Sequence, residues 1–182
     1  MKVAFLDRDG VINEEVGYLH KKEDFKYTYK CVDALQTIKS LGYEIVIITN
    51  QAGIGKGIFT RKQYDDLTSF IQRDLGNHGI RLLDIVFCPH VKGAKLADYD
   101  IDCFFRKPNP GMIKYIFEKY VASPEDAILI GDKVSDVRAG LAAGIDDVYL
   151  VRSGHKLKEE DAKSFKTFLN LYECSNYLCG RL

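Results

Sequence analysis

The sequence predicts an α/β fold: a single doubly wound, Rossmann-like parallel sheet flanked by helices, with no separate cap domain. Two observations carry this. Short, nearly continuous runs of Val and Ile recur along the chain, as in strands buried on both faces of a parallel sheet. Amphipathic helical patterns separate them, the rhythm of repeated βαβ units. The 182 residues suit one domain over residues 1–182.

The first run is Val3–Leu6. A helix over Cys31–Leu41 follows, with Ala34, Leu35, Ile38 and Leu41 on one face and Gly42 as its stop. Ile45–Ile48 is the second run. Thr60-Arg-Lys-Gln63 has capping-box spacing and opens a helix with Tyr64, Leu67, Ile71 and Leu75 on one side. Ile85–Phe87 is the third run. Asn109 reads as a cap before Pro110 at the first helical position, with Met112, Ile113, Ile116, Phe117 and Tyr120 following. Ile128–Ile130 and Val148–Val151 are the last strands. Residues 159–182 read as a helical tail, with one helix over Glu159–Leu178 turning Phe165, Phe168, Leu169 and Tyr172 to the sheet. Glu14–Tyr29 and Cys88–Arg106 show neither period, and irregular stretches of that length in a compact domain are usually functional.

Lys+Arg and Asp+Glu number 26 each, so no bulk positive charge is available for nucleic acid or an acidic membrane. The longest apolar stretch is too short to span a bilayer. The first residues lack the basic start and long apolar run of a secretory signal. The expectation is a soluble, cytoplasmic protein that binds neither nucleic acid nor membrane. The five cysteines fit free thiols in a reducing compartment or a metal site.

Ligands of open α/β sheets bind outside the carboxyl ends of the strands, so the polar residues there are informative. They are Asp7-Arg8-Asp9-Gly10, Thr49-Asn50-Gln51 and Gly131-Asp132-Lys133, with Asp136 one turn later. Asp7 and Asp9 have period-two spacing and face one point. A lone acidic residue at a strand end is ordinarily a turn or a cap. Three strand ends supplying Asp, Thr-Asn and Asp to one rim are not explained that way. Clustered carboxylates need a compensating cation, and all-oxygen donors with open positions suit Mg²⁺. Thr49, Asn50 and Lys107 would supply donors to phosphoryl oxygens. One Asp can serve as a nucleophile and a second as general acid, then base. Gly53-Ile54-Gly55-Lys56-Gly57 is no P-loop, because Asn50 precedes Gly55 by five and Gly57 follows Lys56. It reads as a substrate loop.

Phe5-Leu-Asp7-Arg-Asp9-Gly-Val11, Thr49-Asn50-Gln51, Arg106-Lys107-Pro108 and Gly131-Asp132-Lys133-x-x-Asp136 resemble, in order, the four motifs of haloacid dehalogenase superfamily phosphatases, over residues 3 to about 150. Gly17-Tyr18, Asn50-Gln51-Ala52-Gly53-Ile54, Cys88-Pro89-His90 and Arg106-Lys107-Pro108-x-Pro110-Gly111-Met112 are similar to the branch acting on heptose bisphosphates. The resemblance implies a monomeric, Mg²⁺-dependent phosphatase that keeps its specificity in loops. Its substrate would be a small phosphorylated sugar, D-glycero-D-manno-heptose 1,7-bisphosphate, cleaved at the 7-phosphate on the route to nucleotide-activated heptose. Asp7 would be the nucleophile and Asp9 the acid and base. Mg²⁺ would sit on Asp7, the Asp9 backbone carbonyl and Asp132. Thr49, Asn50 and Lys107 would hold the transferring group, and Asp136 would orient Lys133 or a metal-bound water. Arg106 and Lys56 would meet the second phosphate, and Lys133 would face phosphate too. Histidinol phosphate or another small sugar phosphate is the alternative substrate. A non-enzymatic phospho-receiver is the remaining alternative, one that would lack a counterpart of Asp9.

Cys88, His90 and Cys103 also resemble the zinc loop of this family, expected over residues 88–106. The family pattern ends Cys-x-Cys before Arg-Lys-Pro, and here Phe105 stands at the fourth ligand position. Two outcomes stay open: zinc on three ligands with water in the fourth place, or a metal-free loop with Phe105 packed inward.

Overall fold

A computed structural model describes residues 1–181; Leu182, the last residue of the expected domain and tail, lies outside the described residues. Six strands form one sheet: β1 (Val3–Leu6), β2 (Glu44–Asn50), β3 (Leu82–Cys88), β4 (Ala127–Gly131), β5 (Asp147–Val151) and β6 (Thr167–Phe168). Their order is β3-β2-β1-β4-β5-β6, and every pairing is parallel. The chain winds one way from β1 to β3 and the other way from β4 to β6. The reversal opens a crevice at the carboxyl end of β1.

Alternation along β1 sorts the core. Ala4 and Leu6 join one buried cluster, while Val3 and Phe5 join the other. The first cluster is covered by α1 (Cys31–Ser40), α3 (Arg61–Asn77) and α7 (Leu171–Cys179). The second is covered by α4 (Gly111–Tyr120) and α5 (Val134–Ala142). A one-turn helix, α2 (Ala52–Gly55), and a short helix, α6 (Glu159–Ser164), complete the set. The capping box at Thr60 is present in both directions. Among the described residues no helix is long and apolar enough to cross a membrane.

Two expectations are corrected. Pro110, not Asn109, is the N-cap of α4, with no side-chain cap bond; the Asn109 side chain is turned to the preceding loop, its Nδ2 donating to the Cys103 carbonyl at 3.1 Å. The expected single helix over Glu159–Leu178 is α6, β6 and α7 in succession. Asn170 starts a new helix by accepting the Glu173 N–H at 3.0 Å. Leu169, expected to face the sheet, is 60% exposed; Phe165 and Tyr172 pack on opposite clusters.

Candidate active site

Sheet register gathers the site. Leu6 pairs with Ile47 on one side and Ile130 on the other, so Asp7, Thr49 and Asp132 leave neighbouring strands at one level. The Asp7 N–H donates to the Ile130 carbonyl at 3.1 Å. A cavity of about 530 Å³ lies above this rim, lined by Asp7, Asp9, Thr49, Asn50, Lys56, Arg106, Lys107, Lys133 and Asp136. Asp132 is fully buried behind it.

Lys107 occupies the base. Its Nζ lies 2.9 Å from Asp7 Oδ1 and 2.8 Å from Asp136 Oδ1, and donates to the Ile48 carbonyl at 2.8 Å. Burial alone would lower the Lys107 pKa, but Asp136 and Asp7 together raise it above the ordinary lysine value. Asp7 Oδ1 also accepts the Arg8 N–H at 2.8 Å, while Oδ2 accepts none of the described hydrogen bonds. Burial raises the Asp7 pKa against the pull of Lys107, with Asp136 and Asp9 adding to the rise. Burial, then the Asp7 charge, raises that of Asp132.

Asp136 contacts the expected Lys133 through its backbone and has a further partner. It holds Lys107 through Oδ1, and its Oδ2 accepts the backbone N–H of Lys133 at 2.9 Å. Gly131 permits this, since a Cβ there would run into the Asp136 side chain.

Asp9 is held by residues to which the sequence assigned no role. Its Oδ1 accepts from Arg8 Nη2 at 2.9 Å and Asn13 Nδ2 at 3.1 Å. Its Oδ2 accepts from Gln51 Nε2 at 3.0 Å. Gln51 also donates to Thr49 Oγ1 at 2.8 Å. Arg8 is 2% exposed. The only signal for this ring was the position of Arg8 and Gln51 inside the two motifs.

The remaining expected residues reach the cavity with different degrees of freedom. The Asn50 amide is committed to the Lys107 backbone, donating to its carbonyl and accepting its N–H, each at 3.1 Å. Asn50 therefore clamps the lysine loop to β2. Arg106 Nη1 donates to the His90 carbonyl at 3.0 Å. Lys56 Nζ donates to the Tyr18 hydroxyl at 2.9 Å, so the loop after β2 meets the Gly17-Tyr18 turn over the cavity.

The donors fit a hard divalent cation. Asp7, Asp132 and Asp136 bring carboxylate oxygens within 4.8 Å of one another, and Asp132 Oδ1 is buried without a partner. One lysine against three carboxylates leaves negative charge that an oxygen-seeking ion such as Mg²⁺ offsets. Outside the residues that line the cavity, Cys88, His90 and Cys103 offer ligand atoms within 4.8 Å of one another. Cys88 Sγ is 3.7 Å from His90 Nδ1. Burial and the neighbouring Cys103 push the Cys88 thiol up to about 12. Phe105 packs inward on the second cluster, its ring 6.0 Å from that of Tyr115. Inward packing and gathered ligands thus coexist.

The HAD-hydrolase-like family model matches residues 104–171. A D-glycero-alpha-D-manno-heptose-1,7-bisphosphate 7-phosphatase of Photorhabdus laumondii is 52% identical over 159 residues, 87% of each chain. A D-glycero-beta-D-manno-heptose-1,7-bisphosphate 7-phosphatase of the same organism is 36% identical over 92% of this chain and 89% of its own. Among solved structures, D,D-heptose 1,7-bisphosphate phosphatase from B. bronchiseptica, complexed with magnesium and phosphate, superposes with a TM-score of 0.84 at 25% identity over the whole of both chains.

Proposed function

This chain belongs to the D-glycero-D-manno-heptose-1,7-bisphosphate 7-phosphatases, haloacid dehalogenase-like phosphoric monoester hydrolases, and from that premise we propose how its residues divide the work. The enzyme removes the 7-phosphate of a D-glycero-D-manno-heptose 1,7-bisphosphate, on the route to nucleotide-activated heptose. The observation that carries the assignment is the buried Asp7–Lys107–Asp136 cluster beside the unpartnered Asp132 Oδ1.

Asp7 Oδ2 forms a bond to phosphorus as the bond from phosphorus to the sugar oxygen breaks, and Asp9 gives that oxygen its proton. Asp9 then takes a proton from water, whose oxygen attacks phosphorus and frees the Asp7 carboxylate. The Arg8, Asn13 and Gln51 donors fix Asp9 for both transfers. Lys107 offsets charge on the transferring group and on Asp7, and Thr49 completes the phosphoryl rim. The carboxylates of Asp7 and Asp132, with the Asp9 carbonyl, would hold Mg²⁺. When bound there it polarises phosphoryl oxygens and neutralises the carboxylates.

Arg106, Lys56 and Lys133, on the cavity wall, receive the second phosphate, with Arg106 suited to grip it through two nitrogens. Identity of 52% to the alpha-anomer enzyme against 36% to the beta-anomer enzyme of one organism favours the alpha anomer. The Cys88, His90 and Cys103 donors suit a structural zinc with one open position; since Phe105 already anchors the loop, that zinc is readily exchanged. A single domain without a cap, acting as a monomer, suits the open cavity. Five unpaired cysteines suit a reducing compartment, and we place the reaction in the cytoplasm.

A phosphate-release panel tests the reading: alpha and beta heptose bisphosphates and histidinol phosphate, each with Mg²⁺ and with chelator, alongside metal analysis of the protein. Fastest Mg²⁺-dependent release from the alpha anomer is expected. Preference for histidinol phosphate would overturn the substrate.

A further inference from the structure

Asp132 has two unlike carboxylate oxygens. Oδ1 is buried and unpartnered. Oδ2 accepts twice from one residue, the backbone N–H of His155 at 2.8 Å and its Nδ1 at 2.7 Å. The same Nδ1 lies 3.4 Å from Glu15 Oε2. A ring nitrogen facing two carboxylates carries its hydrogen, which assigns the tautomer. Glu15 is itself fixed, its Oε1 accepting the Gly17 N–H at 2.6 Å.

The backbone closes tightly around this contact. Ser153 Oγ donates to the Gly10 carbonyl at 2.7 Å. A Cβ on Gly10 (φ +88°) or on Gly154 would collide with the Asp132 carboxylate. The turn after β5 is therefore clasped to the turn after β1, with the Asp132 carboxylate between them. His155 belongs to none of the four motifs, and it lines the catalytic cavity.

We propose that His155 is a positioning residue: its Nδ1–H holds Asp132 in the rotamer that presents Oδ1 to the cation, and Glu15 fixes the imidazole plane. This rests on the reading that Asp132 is a Mg²⁺ ligand. Partners that orient a metal ligand are worth about 10–100-fold in metal affinity. Alanine and asparagine at 155 both keep the backbone N–H bond, so only the imidazole's share is lost.

The test is the Mg²⁺ dissociation constant of the purified, metal-stripped protein, measured by competition against Mn²⁺ with free Mn²⁺ read by electron paramagnetic resonance. Melting temperatures without metal are recorded in parallel. His155→Ala should weaken Mg²⁺ about tenfold with an unchanged metal-free melting temperature. His155→Asn, whose Nδ2 can replace Nδ1, should stay within about threefold of the parent. Asp132→Asn should abolish binding. If His155→Ala binds like the parent while Asp132→Asn does not, the positioning role is wrong and the metal site stands. If His155→Asn fails as badly as His155→Ala and both melt lower, the role is only structural and the proposal falls. If Asp132→Asn binds like the parent, the metal site and the proposal fall together.

Discussion

Lys107 Nζ stands 2.9 Å from Asp7 Oδ1, and neither side chain is more than 6% exposed. The proposed nucleophile is thus paired with no substrate present, and Asp136 holds the same ammonium from the other side. Removing one partner of a buried pair costs more than the pair contributes, because a charge is left uncompensated. Lys107→Met should lose about 3–5 kcal/mol of stability, read by urea unfolding, together with measurable turnover.

Asp132 has the opposite sign. Burial and the Asp7 charge disfavour its ionised form, so an uncharged isostere relieves the fold. Asp132→Asn should raise metal-free stability by about 1 kcal/mol while abolishing turnover, the trade expected at a strained site. Calorimetric melting beside an activity assay checks both halves.

Gln51 bridges Thr49 and Asp9. Gln51→Ala leaves Asp9 with Arg8 and Asn13 but loosens its aim. The expected result is a kcat lower by about 10- to 100-fold with a much smaller change in KM. Steady-state phosphate release reads the split.

Gly131 of β4 packs directly against the Asp136 side chain of α5, and Gly131→Ala must push Asp136 away. The substitution should cost about 1–3 kcal/mol by overpacking, and activity should fall further than the stability loss explains, because Lys107 loses its second anchor. Asp136→Asn, which keeps the volume, should reproduce the activity loss without the packing cost.

Burial pushes the Cys31 thiol from 9.0 up to about 12 and the Tyr64 hydroxyl from 10.0 up to about 12. Both pKa values are raised in the fold, so their contribution is complete below the unfolded values and is lost as pH climbs through the folded ones. Stability should be flat in this respect up to about pH 9 and fall from there to about pH 12. At pH 8 a thiol reagent should label exposed Cys179 and spare Cys31 and Cys174 until urea is added. Peptide mass spectrometry distinguishes them.

Much of this was legible in the sequence, for physical reasons. The Val and Ile runs announce strands because a parallel sheet is buried on both faces, and polar residues at their carboxyl ends therefore stand out as Asp7, Thr49 and Asp132. Lys107 was legible only through the motif around it, since nothing local says that a lysine is buried. The ring of Arg8, Asn13 and Gln51 around Asp9, and the contact of His155 with Asp132, were not legible. Gln51 and His155 reach their carboxylates only when separate turns fold onto the sheet, and nothing in the local pattern says that Arg8 and Asn13 turn inward to Asp9. The further bond from Asp136 to Lys107 was not legible either, that lysine being 29 residues earlier in the chain. In the closing segment hydrophobic spacing points to one helix, whereas Asn170-x-x-Glu173 is a cap signal that starts a second.

Phosphoryl transfer to Asp7, as proposed, can be trapped and located. The direct measurement uses p-nitrophenyl phosphate, whose leaving group needs no proton, with the Asp9→Asn variant, which lacks the base for the second step. Mixing the two with Mg²⁺ should give a burst of about one nitrophenolate per enzyme, and acid quenching should place phosphate on the peptide containing Asp7. Absence of a burst and of label in a variant that still turns over slowly, or label on any other residue, would contradict it.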